Sequence, residues 1–526
     1  MAQDRQATGT SGRWWALAAL AVSMLTIGLD ATVLNVALPT LATELNASTS
    51  QLQWFGAAYT LVLGALIIPM GSLGDRFGRK RLLLAGLVTF GASSAACALA
   101  DSAGVLIAAR AFQGVGGAAM MPLSLAMLPV LFEDRDERTR AMNIWVMCSA
   151  IGLPLGPILG GWLLNHFAWG SVFLINVPLV AVGLLALMVY LPETRSERTQ
   201  RTDGAGIVLS SAGLVALIYG LIEAGQDGWT SANVLAPILA GVALLAAFVA
   251  WERRSSHPLV DLELFSNRDF TIGTGLSTVA IFALFGLLFV MPQYFQDVGG
   301  SDPLGTGVRL LPMIGGLVVA TQIGPMLVKR AGSRFVIATG LALSAAALGL
   351  GATTEVGTGY GFVALWLTLL GAGIGLTMPA SMDTAMGALT MERAGSGSGL
   401  LQALRQVGGT IGVAVLGTVL NSAYRADLAG GSVPSSVEGA VRSSVGAGIE
   451  VADRLDSSTL AETVQSAFVT GMDTVLLVSA ALTILGAVIA LLWLPGRVVQ
   501  TPAPDSSAEE PVHDSDREPR EAVAVN

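Results

Sequence analysis

Asp30 is the residue whose type and place in this 526-residue chain ask most of chemistry. It stands about 16 residues into the apolar run 14–37, so about 24 Å along a helix. A carboxylate at that depth in hydrocarbon is costly unless it faces a cavity or a partner. Burial favours the neutral acid, and a nearby cation favours the carboxylate. A group poised between the two can take up a hydrogen ion from one side of a membrane and release it to the other; the competing reading is a fixed structural ion pair. Arg110 is the candidate partner. It lies about six residues from the end of the run 104–128 that matches the nearer end of Asp30's run, about seven residues from Asp30. Arginine stays charged inside proteins, so it would tune a carboxylate rather than carry the proton. An arginine bonded only to backbone carbonyls is the alternative.

Further polar and aromatic residues sit in apolar runs. Asn35, Gln113, Asn143, Gln402 and Gln406 can hydrogen-bond a ligand, and Trp54, Tyr59 and Trp145 can stack on one. Arg309 and Arg405 add charge that suits neutral or anionic molecules. Of these, Asn35, Tyr59, Gln113, Asn143, Trp145, Gln402 and Arg405 form the candidate substrate cavity. Polar contacts between helices and interfacial aromatics are the bland alternatives. The loop containing Gly71, Asp75, Arg76, Gly78 and Arg79 offers a sharp turn and an acid–base cluster able to latch helices, with a solvated basic loop that follows the charge bias as the equal alternative. Gly152, Gly156, Gly160 and Gly161 share one helix face and permit close helix approach, with Pro154 and Pro157 bending the helix.

These residues need a membrane scaffold. Only 12% of the chain is charged, 53% is hydrophobic before its 63 glycines are counted, and mean hydropathy is +0.67. That excludes a disordered chain, a disulfide scaffold and an ordinary cytosolic enzyme. A net charge of −9 has the wrong sign for a nucleic-acid binder. Fourteen runs are long enough to span a bilayer: 14–37, 51–71, 82–100, 104–128, 142–164, 171–191, 204–223, 232–251, 270–295, 304–328, 335–353, 360–382, 396–421 and 470–494. They are continuously apolar, which predicts an all-α polytopic membrane protein rather than a β-barrel. Of the 28 Lys and Arg residues, 22 fall on one side, three in the loop 425–467, and Arg110, Arg309 and Arg405 inside spans. That bias places both termini in the cytoplasm. The first run is too long for a cleaved signal, and no A-x-A-like site follows it. Residues 1–13 read as a cytoplasmic N-terminus, 425–467 as a long outer loop, and 497–526 as a disordered cytoplasmic tail.

Two parts of the chain echo each other. Gly114 to Pro122 and Gly371 to Pro379 both read GxGxxxxMP, offset by 257. Residues 73–80 and 327–334 share a basic loop with a central glycine, offset by 254. Gly152 and Gly160 fall on Gly409 and Gly417, again at 257. The repeat predicts two six-helix bundles, 14–191 and 270–494, with two inserted helices over 204–251 and a midplane cavity between the halves. Cys97 and Cys148 imply neither a disulfide framework nor a metal site. The three histidines (His166, His257 and His513) form no ligand cluster, and no Gly-rich loop precedes Lys80 or Lys329, so no metal, cofactor or ATP site is expected.

The loop Gly71-Ser-Leu-Gly-Asp75-Arg76-Phe-Gly78-Arg79-Lys80 resembles the signature loop between helices two and three of the major facilitator superfamily. Leu29-Asp30-Ala-Thr32-Val-Leu-Asn35-Val-Ala-Leu-Pro39 resembles the first-helix motif of its fourteen-span drug:proton antiporter family. Arg110-Ala-Phe-Gln113-Gly114-Val-Gly116, the run from Gly152 through Gly156-Pro157 to Gly160-Gly161, and Gln402-Ala-Leu-Arg405-Gln406 are similar to its fourth-, fifth- and thirteenth-helix segments. The resemblance implies a major facilitator fold with Asp30 and Arg110 in proton coupling. It links the fifth-helix glycines to antiport and to sealing against ion leak. It also implies proton-coupled efflux of drugs or antibiotics across a bacterial cell (inner) membrane by alternating access, conferring resistance. A proton-coupled uptake symporter, or an exporter of an endogenous metabolite, is the alternative. No enzymatic activity is expected. The expected partners are a small amphipathic substrate, protons and the lipid bilayer, with no nucleic acid, and the protein is expected to be a monomer. Two departures stand out: Lys329 replaces Asp75 in the second loop, and spans ten and thirteen carry Arg309 and Arg405 without an acid. The lack of a further carboxylate in the C-terminal half argues against dicationic substrates.

Overall fold

The computed structural model describes residues 10–195, 203–255, 258–390, 393–430 and 433–494. The expected tail 497–526, most of the 1–13 segment and the side chain of Pro154 lie outside the described residues. The chain folds into helices: α1 (Thr10–Glu44), α2 (Thr49–Phe77), α3 (Arg79–Ala98), α4 (Ala103–Leu131), α5 (Arg135–His166), α6 (Ser171–Leu174), α7 (Asn176–Tyr190), α8 (Gly204–Asp227) and α9 (Ala232–Glu252). Then follow α10 (Arg268–Gln293), α11 (Pro303–Arg309), α12 (Leu311–Ala331), α13 (Ser333–Gly351), α14 (Tyr360–Gly387), α15 (Ala394–Gly430), α16 (Glu438–Val441), α17 (Val445–Arg454) and α18 (Ser458–Trp493). Among the described residues, thirteen helical segments are long and apolar enough to cross a membrane. The remaining expected run, 142–164, lies in α5, whose first turn carries Asp136 and Glu137.

Local chemistry sets the ends. Ser48 and Gln51 form a reciprocal capping box at the start of α2. Asp134 caps α5 by accepting from the N–H groups of Asp136 and Glu137. Pro178 has no N–H to give the carbonyl four residues back, that of Leu174, and α6 ends at that residue. The run 171–191 is therefore two helices meeting at Ile175, with Asn176 opening the second.

Before the pair α8 and α9, α1 packs on α5 and α7, α2 on α4, and α3 on α4 and α7. After it, α12 and α13 pack on α14, while α10 packs on α14, α15 and α18. The sequence repeat has a structural counterpart. Gly78 (φ +114°) ends α2 and begins α3, and Gly332 (φ +88°) does the same between α12 and α13. Both lie in the left-handed region that favours glycine. A Cβ at Gly114 would meet Tyr59 of α2 and one at Gly116 would meet Gly86 of α3; Gly371 and Gly373 stand in the same way against Met313 of α12 and Gly340 of α13.

The two halves meet at the end that carries residues 433–457. There the N–H and hydroxyl of Thr49 both donate to Ser443 O at 3.0 Å, Gln296 Nε2 donates to Val36 O at 2.9 Å, and Asn165 Nδ2 donates to Asp302. Deeper in, Thr410 and Thr60 share a hydrogen bond of 2.7 Å. At the opposite, basic end the ion pairs Arg13–Glu137, Asp75–Arg79 and Arg393–Glu263 each stay on one side of the α8–α9 pair. The repeat glycines yield a stability test. Gly371→Val forces a side chain into the α12 backbone, whereas nothing lies within 4 Å of a Cβ on Gly315. Thermal unfolding in detergent should show Gly371→Val destabilised by about 1–3 kcal/mol, with Gly315→Ala close to the parent.

Candidate functional site

Asp30 lies on α1 and is fully buried. Arg110, on α4, is 1% exposed and donates through Nη1 to Asp30 Oδ2 at 2.7 Å. The same guanidinium donates to Gln113 Oε1 at 2.7 Å and through Nε to Phe55 O at 3.0 Å. Arg110 therefore pairs with the acid and, in addition, bonds one backbone carbonyl; it is not bonded to backbone carbonyls alone. Its charge also sits over the Tyr59 ring, with the guanidinium carbon 4.5 Å from the ring centroid.

Other groups complete the shell. Asp30 Oδ1 accepts from Gln113 Nε2 at 2.8 Å and from Asn176 Nδ2 at 2.9 Å. Ser94 Oγ accepts from Gln113 Nε2 at 2.8 Å and from Asn176 Nδ2 at 3.3 Å. The thiol of Cys97 faces Gln113 Oε1 at 3.8 Å. The carboxylate thus has three donors in a buried setting, which is what a buried ion requires.

A narrow cavity adjoins this cluster and is bounded by α1, α2, α4, α10 and α15. Its wall includes Asn35, Tyr59, Arg110, Phe285, Phe289 and Val413. Asp30 is not in that wall; Tyr59 and Arg110 are. Asn35 Nδ2 donates to Ala31 O at 3.3 Å within its own helix. Gln113, expected at the substrate cavity, instead holds Asp30 and Arg110. Asn143, Trp145, Gln402 and Arg405 lie outside the wall. Asn143 is exposed, Trp145 Nε1 donates to Ser124 Oγ at 3.1 Å, Gln402 contacts Met121, and Arg405 Nη1 donates to Gln402 Oε1 at 3.3 Å. Sequence reasoning missed Ser94, Asn176, Phe285 and Phe289. The signal available for Asn176 was an amide inside an apolar run just before Pro178.

The α5 glycines position Asp30 by letting one backbone lie on another. A Cβ at Gly152 would come within 2.7 Å of Gly28, and one at Gly160 within 2.7 Å of Val33. Gly156 abuts Thr32 and Leu29. Gly161 faces a different helix, lying against Pro303 and Leu304 of α11, and Gly307 of α11 lies against Pro157. One seam therefore serves both α1 beside Asp30 and the junction between halves. At that junction, the Asn165 amide and the N–H of Gly305 hold the Asp302 carboxyl below its usual range, so it stays ionised.

In the signature loop, Asp75 pairs with Arg79 at 2.8 Å, and Arg79 Nη1 donates to Ala126 O on α4 at 3.3 Å. Lys80 Nζ donates to Met188 O on α7 at 2.8 Å, and Arg76 is exposed over Phe77. These ties join α2, α3, α4 and α7. The C-terminal half also contains carboxylates that the sequence reading passed over: Asp473 lies in α18, within the run 470–494, and Asp297 lies in the π-turn after α10. The argument against dicationic substrates from a missing acid therefore fails.

An all-helical membrane protein with repeated halves, a buried ion pair and a cavity between halves belongs to the class of polytopic transport proteins. The sequence model of the Major Facilitator Superfamily matches residues 20–413, and the chain belongs to that superfamily. It is 34% identical over 501 residues to a tetracenomycin C resistance and export protein of Streptomyces glaucescens, covering 92% of each chain. It is 35% identical over 485 residues to the multidrug efflux pump LfrA of Mycolicibacterium smegmatis, covering 90% of this chain and 95% of the relative. Among solved structures, an inward-facing, unoccupied bacterial homologue of the human lysosomal transporter Spinster aligns with TM-score 0.67 at 16% identity, covering 94% of this chain and 100% of the other. A D-xylose–proton symporter aligns with TM-score 0.59 at 15% identity, covering 92% and 98%. At those identities the likeness shows the fold alone.

The buried pair makes a direct prediction about stability. Removing one partner leaves an uncompensated charge, so Asp30→Asn or Arg110→Gln alone should cost about 3–5 kcal/mol. The double variant should recover part of that loss; strictly additive losses in a thermal double-mutant cycle would show that the pair is not coupled.

Proposed function

We propose that this protein is a proton-coupled exporter of small amphipathic drugs or antibiotics, acting by alternating access in a bacterial cell membrane. The observation that carries the coupling is the buried Asp30–Arg110 pair beside the cavity. The resistance and export functions named for relatives that align along most of the chain support the direction of transport. The working unit is a monomer of two six-helix bundles, 14–191 and 270–494, with the α8–α9 pair between them and both termini in the cytoplasm. On this reading the basic end faces the cytoplasm and the end with residues 433–457 faces outside.

With Asp30 ionised, the pair is neutral, and the cavity wall offers Phe285, Phe289 and the Tyr59 face to an apolar, partly aromatic substrate. Uptake of a proton from outside discharges Asp30 and leaves Arg110 as an unpaired cation in that wall. The added positive charge disfavours a bound cation or amphiphile and favours its release. Loss of the proton to the cytoplasm re-forms the pair. The Asp302, Thr49 and Gln296 contacts close the outer end in the conformation described here, and the glycine seam of α5 lets that closure be tight. Asp75 and Arg79 tie the cytoplasmic ends of α2 and α4, with Arg76 exposed beside them and Gly71 and Gly78 allowing the close turn.

In a pump-deleted host, the parent should raise the inhibitory concentration of several amphipathic antibiotics, and a protonophore should remove that protection. Asp30→Asn should reach the membrane but give no proton-driven efflux; full resistance from that variant refutes the role given to Asp30. In everted vesicles, Arg110→Ala should lose the pH dependence of drug accumulation, and an unaltered pH profile would remove Arg110 from the coupling step.

A further inference from the structure

Asp30 is surrounded by donors. Arg110 Nη1 reaches Oδ2, and Gln113 Nε2 and Asn176 Nδ2 reach Oδ1. This set fits a carboxylate, which only accepts hydrogen bonds. A protonated carboxyl must also donate one. The neighbouring acceptors are already engaged: Gln113 Oε1 by Arg110 and Cys97, Ser94 Oγ by Gln113 and Asn176, and Phe55 O by Arg110. Asn176 Oδ1 is different. It is buried, has no hydrogen-bond partner, and belongs to the amide that now donates to Asp30. Tyr59 Oη is also without a partner, but it lies toward Gly117, a turn beyond Gln113 on α4.

We propose that Asn176 is a positioning residue that reads the charge of Asp30 by turning its amide: Nδ2 donates to the carboxylate, and after a half-turn Oδ1 accepts from the carboxylic acid. This rests on the proposed proton uptake at Asp30. The step moves one proton from water to Asp30 Oδ1. The N–H···O contact from Asn176 is replaced by an O–H···O contact to Asn176, and no covalent bond other than that O–H forms. A half-turn of an amide conserves its shape and needs no movement of the backbone.

The exchange is close to balanced. With Asp30 ionised, one end of the Asn176 amide, Oδ1, lacks a partner. Protonation without rotation would leave both the new O–H and Oδ1 unpaired. Rotation leaves only Nδ2 unpaired, while the Ser94 hydroxyl can turn to donate to the same oxygen. Counted over Asp30 and the Asn176 amide, the number of buried groups without a hydrogen-bond partner is then the same in both charge states; what differs is the charge facing Arg110. The charged or titratable groups facing Asp30 are Arg110 from α4, Cys97 from α3 and Tyr59 from α2; the contacts from α5 are those of glycines. Asn176 is the contribution of α7, placed at the helix start by the break before Pro178.

The test is infrared difference spectroscopy between acid and alkaline pH on the full-length protein in liposomes. The Asp30 acid carbonyl band is assigned by its loss in Asp30→Asn. In the parent it should lie at the lower frequency of a donating carboxyl. Asn176→Leu, which neither donates nor accepts, should move it to higher frequency. Asn176→Thr, whose hydroxyl does both, should return it toward the parent position, and this variant decides the matter if the leucine variant does not fold. The titration midpoint of the band should stay within about half a unit in Asn176→Leu, because both charge states lose a bond. A midpoint raised by a full unit or more, a tenfold change in proton affinity, would mean that Asn176 only donates. That result, or an unmoved band, overturns the proposal. Absence of any band sensitive to Asp30→Asn removes the proton site itself and the inference with it.

Discussion

Two opposite charges stripped of water are attractive to each other and expensive to the protein. The Asp30–Arg110 pair is buried from solvent, and its contact of 2.7 Å is supplemented by four further hydrogen bonds from or to Gln113, Asn176 and Phe55. Such a pair adds little net stability over apolar packing, but breaking it on one side is costly. Its value lies in that asymmetry. A change in the charge of one member is felt at once by everything bonded to the other, including the wall of the cavity next to it. The apolar and aromatic groups around the pair keep the local dielectric low and the interaction strong.

The rest of the fold brings five helices to this point. Asp30 comes from α1, Tyr59 and Phe55 from α2, Ser94 and Cys97 from α3, Arg110 and Gln113 from α4, and Asn176 from α7. All lie before the α8–α9 pair. The second half contributes the opposite cavity wall through Phe285, Phe289 and Val413. Its position equivalent to Arg110, at the repeat offset of 257, is Leu367. The two halves thus share a backbone plan held by matching glycines, and at the cavity the first supplies the Arg110 charge and the second apolar side chains.

Among the described residues, the junction between halves is built from small residues and hydrogen bonds to backbone groups, and no ion pair crosses it. Gly161 and Gly307 place α5 and α11 backbone against backbone, and Ser443 O accepts two bonds from Thr49. Contacts of this kind are tight when formed but involve little desolvated charge. They suit surfaces that separate and meet again, because parting exposes groups that water or lipid can accommodate. The Asp302–Asn165 contact fits the same pattern, since Asp302 is exposed and keeps its charge through local hydrogen bonds.

Composition and spacing alone were enough to read a polytopic all-helical chain, because hydrocarbon forces backbone groups to pair within each segment and leaves a continuous apolar run as its trace. Matching depth along two runs brought Asp30 and Arg110 to one level, and glycine repeats at nearly constant offset marked the turns at Gly78 and Gly332. Which residues share a shell depends instead on helix rotation and on breaks, and a list of runs holds neither. Gln113 faces Asp30 and not the cavity because of the turn of α4, and Asn176 reaches the carboxylate because α6 and α7 part before Pro178. Asp473 was visible in the sequence but had no neighbours to give it meaning. The tertiary structure decided those placements because a buried polar atom is defined by its partners, and partners come from other helices.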